Sequence, residues 1–315
     1  MSFTLNDRPG VSEETRKRIA AVARDMGWSP NAAARALSVR SAGAIGLVIA
    51  RPEQSFSSER FFFELIVGLQ SQLSADGKAL VLQVAKDVNE ESEIHRRWWS
   101  GRTVDGIILI DLRENDPRPA TLAQLGVPTV IVGQPSDSLG AVVGDEEGIM
   151  RKILEHLIEE GCTRIAYVSG FTSLAHITQR ARTLSQIGRK RGIEVQLSTA
   201  TDFTEDSALE HTKELLQGPR RPDAIIYDNE ILTLGGYQAL RTLGFTVGED
   251  IAVVSCEDSA ICRVLTPAVT AIHREPSTVG VHAAEVLTSM LAGGPATTVL
   301  EETPELIVRA SSQLR

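Results

Sequence analysis

From Ala44 onward, short apolar and β-branched runs alternate with amphipathic stretches of helical period. The first runs are AIGLVIA, KALVLQVA, VDGIILI and VPTVIVG, and the spacing between them predicts helices over residues 62–76 and 91–99. Strands and helices that alternate in this way are typical of βαβ units, which build a parallel sheet. The first part of this region therefore predicts one α/β lobe.

A second series of the same kind begins after AVVGDEEG. Its runs are TRIAYVSG, IEVQLST, PDAIIYD and DIAVVSCED, with predicted helices over 149–160, 179–191, 207–216 and 232–243. The final stretch supplies one further helix and strand, and in a two-lobed design the chain can cross between lobes there. The pattern predicts two tandem, doubly wound parallel-sheet lobes with a ligand cleft between them.

The first 43 residues break this rhythm, because they offer two helices and no strand. Residues 11–26 predict a small amphipathic helix with Ser12 as N-cap, Thr15 one turn later and Gly27 as a stop signal. Pro30 then precedes NAAARALSVR, which has high helix propensity but is too short to be stable alone in water. We expect this second helix to fold only against another surface, such as DNA.

Composition and cysteine usage indicate the class of protein and its cellular compartment. Apolar residues make up 42% of the 315 residues and the mean hydropathy is -0.03, while no apolar run approaches the ~20 residues that span a membrane. The amino terminus lacks an apolar stretch followed by a small-residue cleavage site, so we expect a cytoplasmic protein. The three cysteines have no metal-ligand spacing, so we expect reduced thiols and no metal.

Charge is distributed unevenly along the chain. The net charge of -9 alone argues against nucleic acid, because phosphate binding needs a positive surface. Up to Gly43, however, seven basic residues face four acidic ones, so that this part carries +3 and the remainder -12. A basic arm on an acidic body is compatible with DNA binding through the arm.

The run LNDRPGVSEETRKRIAAVARDMGWSPNAAARALSVRSAGAIGLV resembles the headpiece, hinge and first core strand of the LacI/GalR family of bacterial repressors. Similar family patterns recur in GRTVDGIIL, EHLIEEGCTRIAYVSG, VGEDIAVVS and TPAVTAIHREPSTVG, so the resemblance covers essentially the whole chain. It implies a core of the type I periplasmic-binding-protein-like fold, preceded by a helix-turn-helix headpiece and a hinge helix.

The resemblance also implies that the start of the helix-turn-helix is missing. Only Ser2 to Asn6 match the tail of the family's recognition helix, and Met1 falls where relatives usually carry valine. We expect the natural protein to begin roughly one helix-turn-helix earlier, with Met1 as an internal start assigned at a GTG codon. A deliberate truncation and a genuine headless relative are the alternatives.

Several polar residues of the headpiece match phosphate-contacting positions of the family. These residues are Ser2, Asn6, Ser12 and Thr15. Such contacts fix the register of a protein on DNA and carry little sequence information. Ser12 and Thr15 can alternatively be plain helix caps, and both roles are compatible because a helix N-terminus attracts phosphate.

In the hinge helix, Asn31, Ala34 and Leu37 fall on one helical face. The matching leucine in relatives wedges between central base pairs in the minor groove and kinks the duplex. Core packing is the alternative role of Leu37. Two hinge helices, one per protomer, would pack side by side, so the resemblance implies a homodimer and a roughly palindromic operator.

Aromatic residues mark one part of the implied effector pocket. Phe61 and Phe62 take the place of a family PFF motif at the start of the first core helix, and Phe63 beside them strengthens the apolar wall. Phe203, in TDFTEDSA, matches an aromatic position that stacks on sugar faces. Core packing and, for Phe203, a hydrophobic staple at a helix start are the alternatives.

Polar residues mark the rest of that pocket. Arg182 aligns with an arginine whose planar fork grips the hydroxyls or carboxylate of an effector, and Arg180 competes for this role. The family places a Gly-aromatic pair just after this arginine, but Ser185 and Gln186 stand here, which puts the local geometry in doubt.

Asn229 and Glu230 match an Asn-Asp pair that follows the AIIY strand, and Asn229 is the strongest effector-site prediction. Glu257, in SCED, takes the place of a carboxylate that accepts bonds from sugar hydroxyls. Because the neighbouring Gly and aromatic of the family are replaced, we expect a pocket unlike that of an ordinary hexose sensor.

His176 and Thr178 match further positions in the same cleft. A histidine there can donate or accept a hydrogen bond near pH 7, and a solvent-exposed loop histidine is the alternative. No HExxH, GxSxG, Cys-His pattern, P-loop or GxGxxG is present in the sequence, so we expect neither an enzyme nor a cofactor.

The sequence thus predicts a transcriptional repressor whose operator affinity depends on a small molecule, expected to be a carbohydrate, bound between two lobes. The predicted boundaries are 1–43 for the partial headpiece and hinge, about 44–144 with 274–300 for the first lobe, and about 145–273 with 301–315 for the second. A stand-alone solute-binding protein of the same fold is the main alternative. A sugar-processing enzyme is a weaker one, since no paired-carboxylate site is evident.

Overall fold

The computed structural model describes residues 12–26, 41–52, 59–198 and 200–314. In chain order the elements are α1 (Glu13–Asp25), β1 (Ala44–Ile49), α2 (Arg60–Ala75), β2 (Ala79–Val84), α3 (Val88–Ser100), β3 (Gly106–Leu109), α4 (Arg118–Gln124), β4 (Thr129–Val132), β5 (Gly140–Val143), α5 (Glu146–Glu159), β6 (Arg164–Val168), α6 (Ala175–Arg191), β7 (Glu194–Leu197), α7 (Glu205–Gln217), β8 (Ala224–Tyr227), α8 (Glu230–Thr242), β9 (Ala252–Ser255), α9 (Ala260–Val264), β10 (Thr270–His273), α10 (Pro276–Leu291), β11 (Thr298–Leu300) and β12 (Glu305–Ile307). A 3₁₀ turn follows at Ala310–Ser312.

The predicted helix of the headpiece is present as α1. The Ser12 hydroxyl accepts a hydrogen bond from the backbone N–H of Thr15 at 3.4 Å, and the two side-chain oxygens lie 2.8 Å apart. This is the arrangement of an N-cap. The other residues predicted to contact DNA, Ser2, Asn6, Asn31, Ala34 and Leu37, lie outside the described residues.

Two six-stranded sheets confirm the predicted fold class of two α/β lobes. The first sheet has the order β11-β5-β4-β3-β1-β2, and all of its neighbouring strands are parallel. The second has the order β12-β10-β9-β8-β6-β7. In this sheet β12 runs antiparallel to β10, with Ala271 opposite Ile307, and the remaining pairs are parallel.

Each sheet is covered by helices on both faces, which explains why its central strands are continuous apolar runs rather than alternating ones. In the first lobe, α2 and α10 cover one face and α3 and α4 the other. In the second lobe, α5 and α6 cover one face and α7 and α8 the other. All four residues of β3 and of β8 are buried.

Helices α2 and α10 pack unusually closely in the first lobe. A Cβ at Gly68 would lie 1.9 Å from the carbonyl oxygen of Ser277, and a Cβ at Gly280 would lie 2.4 Å from that of Leu65. Because α10 follows β10 of the second sheet, this close contact anchors the returning chain to the first lobe.

The chain passes between the two sheets three times, at residues 144–145, 274–275 and 301–304. The three segments are tied to one another by side chains. Arg274 binds Glu146 at 2.6 Å, and the Thr303 hydroxyl donates to the Asp145 carboxylate. Within the described ranges, no helix has the length and apolar content needed to cross a membrane.

Candidate functional site

A cleft of about 860 Å³ lies between the two lobes, at the carboxyl ends of their parallel strands. This is the edge where open α/β sheets bind ligands. From the first lobe it is lined chiefly by Arg51, Glu59, Phe61, Phe62, Asp111 and Gln134. From the second lobe and the second crossing it is lined chiefly by Glu146, His176, Arg180, Phe203, Asp228, Asn229, Glu257 and Arg274.

Arg180, in α6, is the central cation of the second-lobe wall and is only 2% exposed. Its Nε donates to Glu146 at 2.6 Å and its Nη1 to Asp228 at 2.5 Å. Burial acts to lower the pKa of Arg180, but the two carboxylates outweigh burial and raise it well above its ordinary value. The guanidinium is therefore permanently charged and paired with two carboxylates.

Glu146 also receives a second guanidinium, because Arg274 donates to its other oxygen at 2.6 Å. Burial alone would raise the pKa of Glu146, but Arg180 and Arg274 hold that pKa well below its usual range. Glu146 lies at the start of α5, immediately after the first crossing. The cleft and the crossing segments thus share one charged network.

Arg51 is the central cation of the first-lobe wall. It follows β1 and binds Asp111, which follows β3, through Nε at 2.6 Å and Nη2 at 3.2 Å. Its guanidinium carbon also lies 4.6 Å from the ring centre of Phe203 in the second lobe. A guanidinium held over an aromatic ring is stabilised by the ring quadrupole, so Arg51 contacts both walls of the cleft.

Asn229 caps helix α8 and faces the cleft. Its side-chain oxygen accepts the backbone N–H of Leu232 at 2.9 Å, which fixes the orientation of the amide. Its Nδ2 is buried and has no hydrogen-bond partner among the described residues. An unpaired buried donor costs free energy, and a ligand oxygen would satisfy it.

His176 and Phe203 occupy the same side of the cleft. Burial, assisted by the charge of Arg180, lowers the pKa of His176 to about 4, so that the ring is neutral at physiological pH. Phe203 has a left-handed backbone with φ of 64°, which is uncommon for a bulky residue and marks local strain. Its ring packs edge-on against Phe171 at 5.4 Å.

Two carboxyl groups in the cleft have raised pKa values. Burial raises the pKa of Glu59 to about 8, against the opposing charge of Arg51. Burial, and then the neighbouring Glu230, raise the pKa of Glu257 well above its usual value. Burial therefore favours the neutral form of both groups until a charge partner is supplied.

The structure brings together six of the eight residues that the sequence predicts for effector binding. Those that line the cleft are Phe61, Phe62, His176, Phe203, Asn229 and Glu257. Phe203 also belongs to the apolar core that contains Ala208 in the first turn of α7, so the staple and cleft roles coexist. Effector contact itself stays a prediction for all six.

Thr178 and Arg182 are placed elsewhere. The Thr178 hydroxyl donates to the backbone oxygens of Thr172 and Leu174 at the start of α6. Arg182 is 62% exposed and pairs with Glu114 at 3.0 Å. Of these two arginines of α6, it is Arg180, the competing assignment, that lines the cleft. Phe63 does not strengthen the apolar wall either, because its ring is 70% exposed on the outer side of α2.

Sequence reasoning missed most of the charged groups of the cleft. These are Arg51, Glu59, Asp111, Glu146, Asp228 and Arg274. All except Glu59 follow a parallel strand within three residues, after β1, β3, β5, β8 and β10. Since ligand sites of parallel sheets lie at the carboxyl ends of the strands, that position was the available signal. No group of three metal-ligating side chains occurs in the part of the chain that the structure describes.

Comparison with known proteins places this architecture in a family. The family model described as a periplasmic binding protein-like domain matches residues 154–312. The structure of a LacI family transcriptional regulator from Bifidobacterium animalis subsp. lactis is 30% identical, with a TM-score of 0.79, over 86% of this chain and 98% of that chain. The chain belongs to the LacI family of transcriptional regulators.

Other relatives agree with this assignment. The HTH-type transcriptional regulator CelR of Thermobifida fusca is 29% identical over 99% of this chain and 93% of its own length. The ribose operon repressor of Escherichia coli K12 is 25% identical over 91% and 87%. A solved CelR–cellobiose complex is 27% identical with a TM-score of 0.77, over 98% of this chain and 94% of that chain.

The predicted family and function are therefore confirmed. This LacI-family chain is a transcriptional regulator with a small-molecule-binding type of core, and its relatives named above are regulators rather than enzymes. The stand-alone solute-binding alternative loses its support, because the similarity to complete regulators extends over nearly the whole chain.

Proposed function

We propose that this LacI-family regulator binds operator DNA as a homodimer and that a small molecule in the cleft controls its affinity for the operator. The observation that carries the proposal is the cleft itself, which has an unpaired buried donor at Asn229 and charged groups from both lobes. A ligand that contacts both lobes favours one arrangement of them over another. DNA must then alter effector affinity by the same factor, because coupling between sites is reciprocal.

We propose a carbohydrate or related polyol as the effector. Aromatic rings beside hydrogen-bonding side chains suit a molecule with apolar faces and polar edges, and Phe61, Phe62 and Phe203 supply the rings. The relative CelR is described in complex with cellobiose. No catalytic reaction is assigned to the cleft.

We propose the domain boundaries 1–43 and 44–315 and a DNA contact surface in the first of these segments. Ser2, Asn6, Ser12 and Thr15 are proposed to contact phosphates, and Asn31, Ala34 and Leu37 to face the minor groove. The net charge of +3 on this segment supports the assignment.

An exposed apolar patch on the first lobe supports dimer formation. We define this first-lobe patch as Phe63 and Val67 on α2 with Leu82 and Val84 on β2. The strand β2 is at the edge of its sheet, and its residue Leu80, on the same face as Leu82 and Val84, packs with α2. The four side chains therefore share one side of the lobe, and contiguous apolar surface of this kind marks interfaces.

Operator binding is tested by selecting DNA from a random library with the purified protein, extended upstream to include a complete helix-turn-helix, and measuring the affinity by anisotropy at fixed salt. We expect a roughly palindromic consensus. Leu37→Ala should weaken specific binding by roughly 10-fold, as expected for a lost minor-groove wedge, while Leu300→Ala, at an exposed leucine of β11, should not. Selection of no consensus, or equal affinities of both variants, would contradict the proposed DNA contact.

Dimer formation is tested by sedimentation of Val67→Glu, which buries a charge if the first-lobe patch is an interface. We expect dissociation to monomers at concentrations where the wild type is dimeric. Leu197→Glu, at an equally exposed position on the edge strand β7 of the second sheet, is the matched control. A dimer that survives Val67→Glu unchanged excludes this patch.

A further inference from the structure

The charges that line the cleft are unbalanced. Among the described residues its lining includes five carboxyl groups and three guanidinium groups. The carboxyl groups belong to Glu59, Asp111, Glu146, Asp228 and Glu257, and the guanidinium groups to Arg51, Arg180 and Arg274. The lining therefore has two more potential negative charges than positive ones.

Each of the three guanidinium groups is already engaged by carboxylates. Arg180 binds Glu146 and Asp228, Arg274 binds Glu146, and Arg51 binds Asp111. The shortest nitrogen–oxygen distance in each of these ion pairs is 2.5 or 2.6 Å. Among the described cleft residues, Arg51 Nη1 is buried without a hydrogen bond and lies 3.6 Å from Glu59 Oε1. An anionic ligand would have to compete with a carboxylate for each guanidinium, so the cleft favours neutral or cationic molecules over carboxylates and phosphates.

The two carboxyl groups in excess of the guanidinium groups are assigned to Glu257 and Glu59. Within the described ranges, Glu257 has no ion pair, and its side chain hydrogen-bonds that of Glu230, whose Oε2 is buried without a hydrogen-bond partner. The Glu59 side chain is 9% exposed, and its Oε1, 3.6 Å from Arg51 Nη1, has no hydrogen-bond partner in the part of the chain that the structure describes. Two buried carboxyl oxygens at the cleft and its rim therefore have unused acceptor capacity.

A second small cavity connects these groups. Its lining comprises Arg60, Phe61, Glu64, Glu230, Glu257, Asp258, Arg274 and Pro276. Of these, Phe61, Glu257 and Arg274 also line the cleft. Arg60 is not a free cation there, because it pairs with Glu64 and donates to the Asp258 carbonyl oxygen at 3.0 Å. Arg274 is paired with Glu146, so each guanidinium that the structure describes in this second cavity already has a carboxylate partner.

We infer that the effector is a hydroxylated cation, such as an amino sugar or amino polyol, whose ammonium group is received by Glu257, with Glu230 and Glu59 beside it. Asn229 Nδ2 would donate to a hydroxyl oxygen of the same molecule. This inference rests on the proposed function, because it names the chemical class of the molecule that the cleft senses. An ammonium group matches unpaired carboxyl oxygens by charge and by its three donors.

The test is a comparison of matched ligands with the 315-residue chain. Thermal shift is measured with glucose, 6-amino-6-deoxyglucose and glucuronate, and with cellobiose and its 6-amino and uronic acid counterparts, and dissociation constants follow from calorimetry. We expect the amine of at least one set to bind about 10-fold more tightly than its neutral counterpart, and the acids more weakly still. If no amine binds more tightly than its neutral partner, the inference is overturned.

Substitutions test whether the preference for the amine arises at Glu257. Glu257→Gln keeps the size of the side chain and removes its charge, so the preference for the amine should fall to about 2-fold or less. Glu249→Gln, at an exposed carboxyl on the opposite end of the second sheet, should keep the preference. An amine preference that is unchanged in Glu257→Gln would also refute the site.

The pH dependence gives a second readout. The charged groups around Glu257 and Glu230 include Arg60, Arg180, Arg274 and Glu59, together with Glu64 and Asp258, which line the same small cavity. Because burial raises the pKa values of Glu230 and Glu257, a bound ammonium must displace a proton, and the amine should bind more tightly as pH rises from 6 to 8. Affinity that is independent of pH over this range counts against the inference.

The two proposals fail in different ways. A neutral sugar that binds the cleft and changes operator affinity would leave the regulatory function intact and refute the cation preference. An amine that binds at Glu257 without any change in operator affinity would support the preference and refute the proposed control of DNA binding.

Discussion

Two buried arginines, one in each lobe, are each paired with two carboxylates, but only one of them lines the cleft. Arg180 lies between Glu146 and Asp228, and Arg118 lies between Glu91 and Asp116, with shortest contacts of 2.5 and 2.6 Å. Both side chains are 2% exposed. Arg180 lines the cleft, whereas Arg118 lies away from it, at the start of α4. Burial and pairing of a charge therefore do not by themselves identify a binding residue.

The two networks differ in how their carboxyl groups hold protons. Burial raises the pKa of Glu91 to about 7, although Arg118 opposes this. In the cleft, two guanidinium groups hold the pKa of Glu146 below its usual range despite burial. The network around Arg118 can therefore neutralise itself by taking up a proton, and the network around Arg180 cannot do so at neutral pH.

The largest effect is expected for Arg180→Met. Removal of the guanidinium leaves Glu146 and Asp228 buried together, and breaking a buried ion pair from one side costs about 3–5 kcal/mol. We expect a loss of unfolding free energy in this range, measured by urea denaturation, together with loss of the effector-induced thermal shift. A variant of near wild-type stability would show that water or a proton replaces the guanidinium.

A smaller loss is expected for Arg118→Met, about 2 kcal/mol, because Glu91 can become neutral when its partner is removed. Arg118 also donates to the backbone oxygen of Asp111 at 2.8 Å, so effector affinity should fall only slightly. Urea denaturation and calorimetry on the same preparation separate the two effects. Equal losses of effector affinity in Arg180→Met and Arg118→Met would contradict the conclusion that only the network around Arg180 serves the cleft.

Glu59 makes the cleft sensitive to pH. Its pKa is about 8 in the folded protein and 4.5 as the ordinary value, so unfolding releases a proton between these limits. Rising pH therefore favours the unfolded state. The resulting loss of unfolding free energy is absent below about pH 4.5 and complete above about pH 8. Glu59→Gln should gain roughly 2 kcal/mol relative to the wild type between pH 5 and pH 6.5.

The measurement for Glu59 is the difference in unfolding free energy between variant and wild type at each pH. Glu249→Gln serves as the control and should show no such trend, because its carboxyl group is exposed. A difference that does not change between pH 5 and pH 8.5 would mean that Glu59 is charged throughout.

The smallest effect is expected for Arg182→Met. Its pair with Glu114 is exposed on both sides, and surface ion pairs contribute less than about 1 kcal/mol. Both the unfolding free energy and the effector-induced thermal shift should remain close to those of the wild type. Loss of effector binding in this variant would restore Arg182 as the effector-binding arginine.

The confusion of Arg182 with Arg180 shows where sequence reasoning ends. Two positions along a helix turn the side chain by about 200°, so an alignment that slips by two residues selects the opposite face. The helix itself was predicted over 179–191, but it begins at Ala175. Leu174, at its N-cap position, makes no side-chain cap bond, so the sequence carried no start signal.

The strands were predicted more accurately than the charged site. Buried parallel strands are continuous apolar runs, and AIIY and AVVS are visible as such. The short helices α4 and α9 were missed because five to seven residues give too little periodicity. The charged network depends on which side chains meet across two lobes, and spacing along the chain does not encode that distance.

The position of a ligand contact relative to the three crossings determines how strongly that contact can rotate one lobe against the other. Glu146 and Arg274 lie at the crossings, close to any axis about which the lobes can rotate, and a force applied there produces little torque. Phe61 and Asn229 lie on opposite walls, where the same force acts through a longer lever arm. We therefore expect contacts at the crossings to set how strongly the effector is held, and contacts on the walls to set how far the lobes turn.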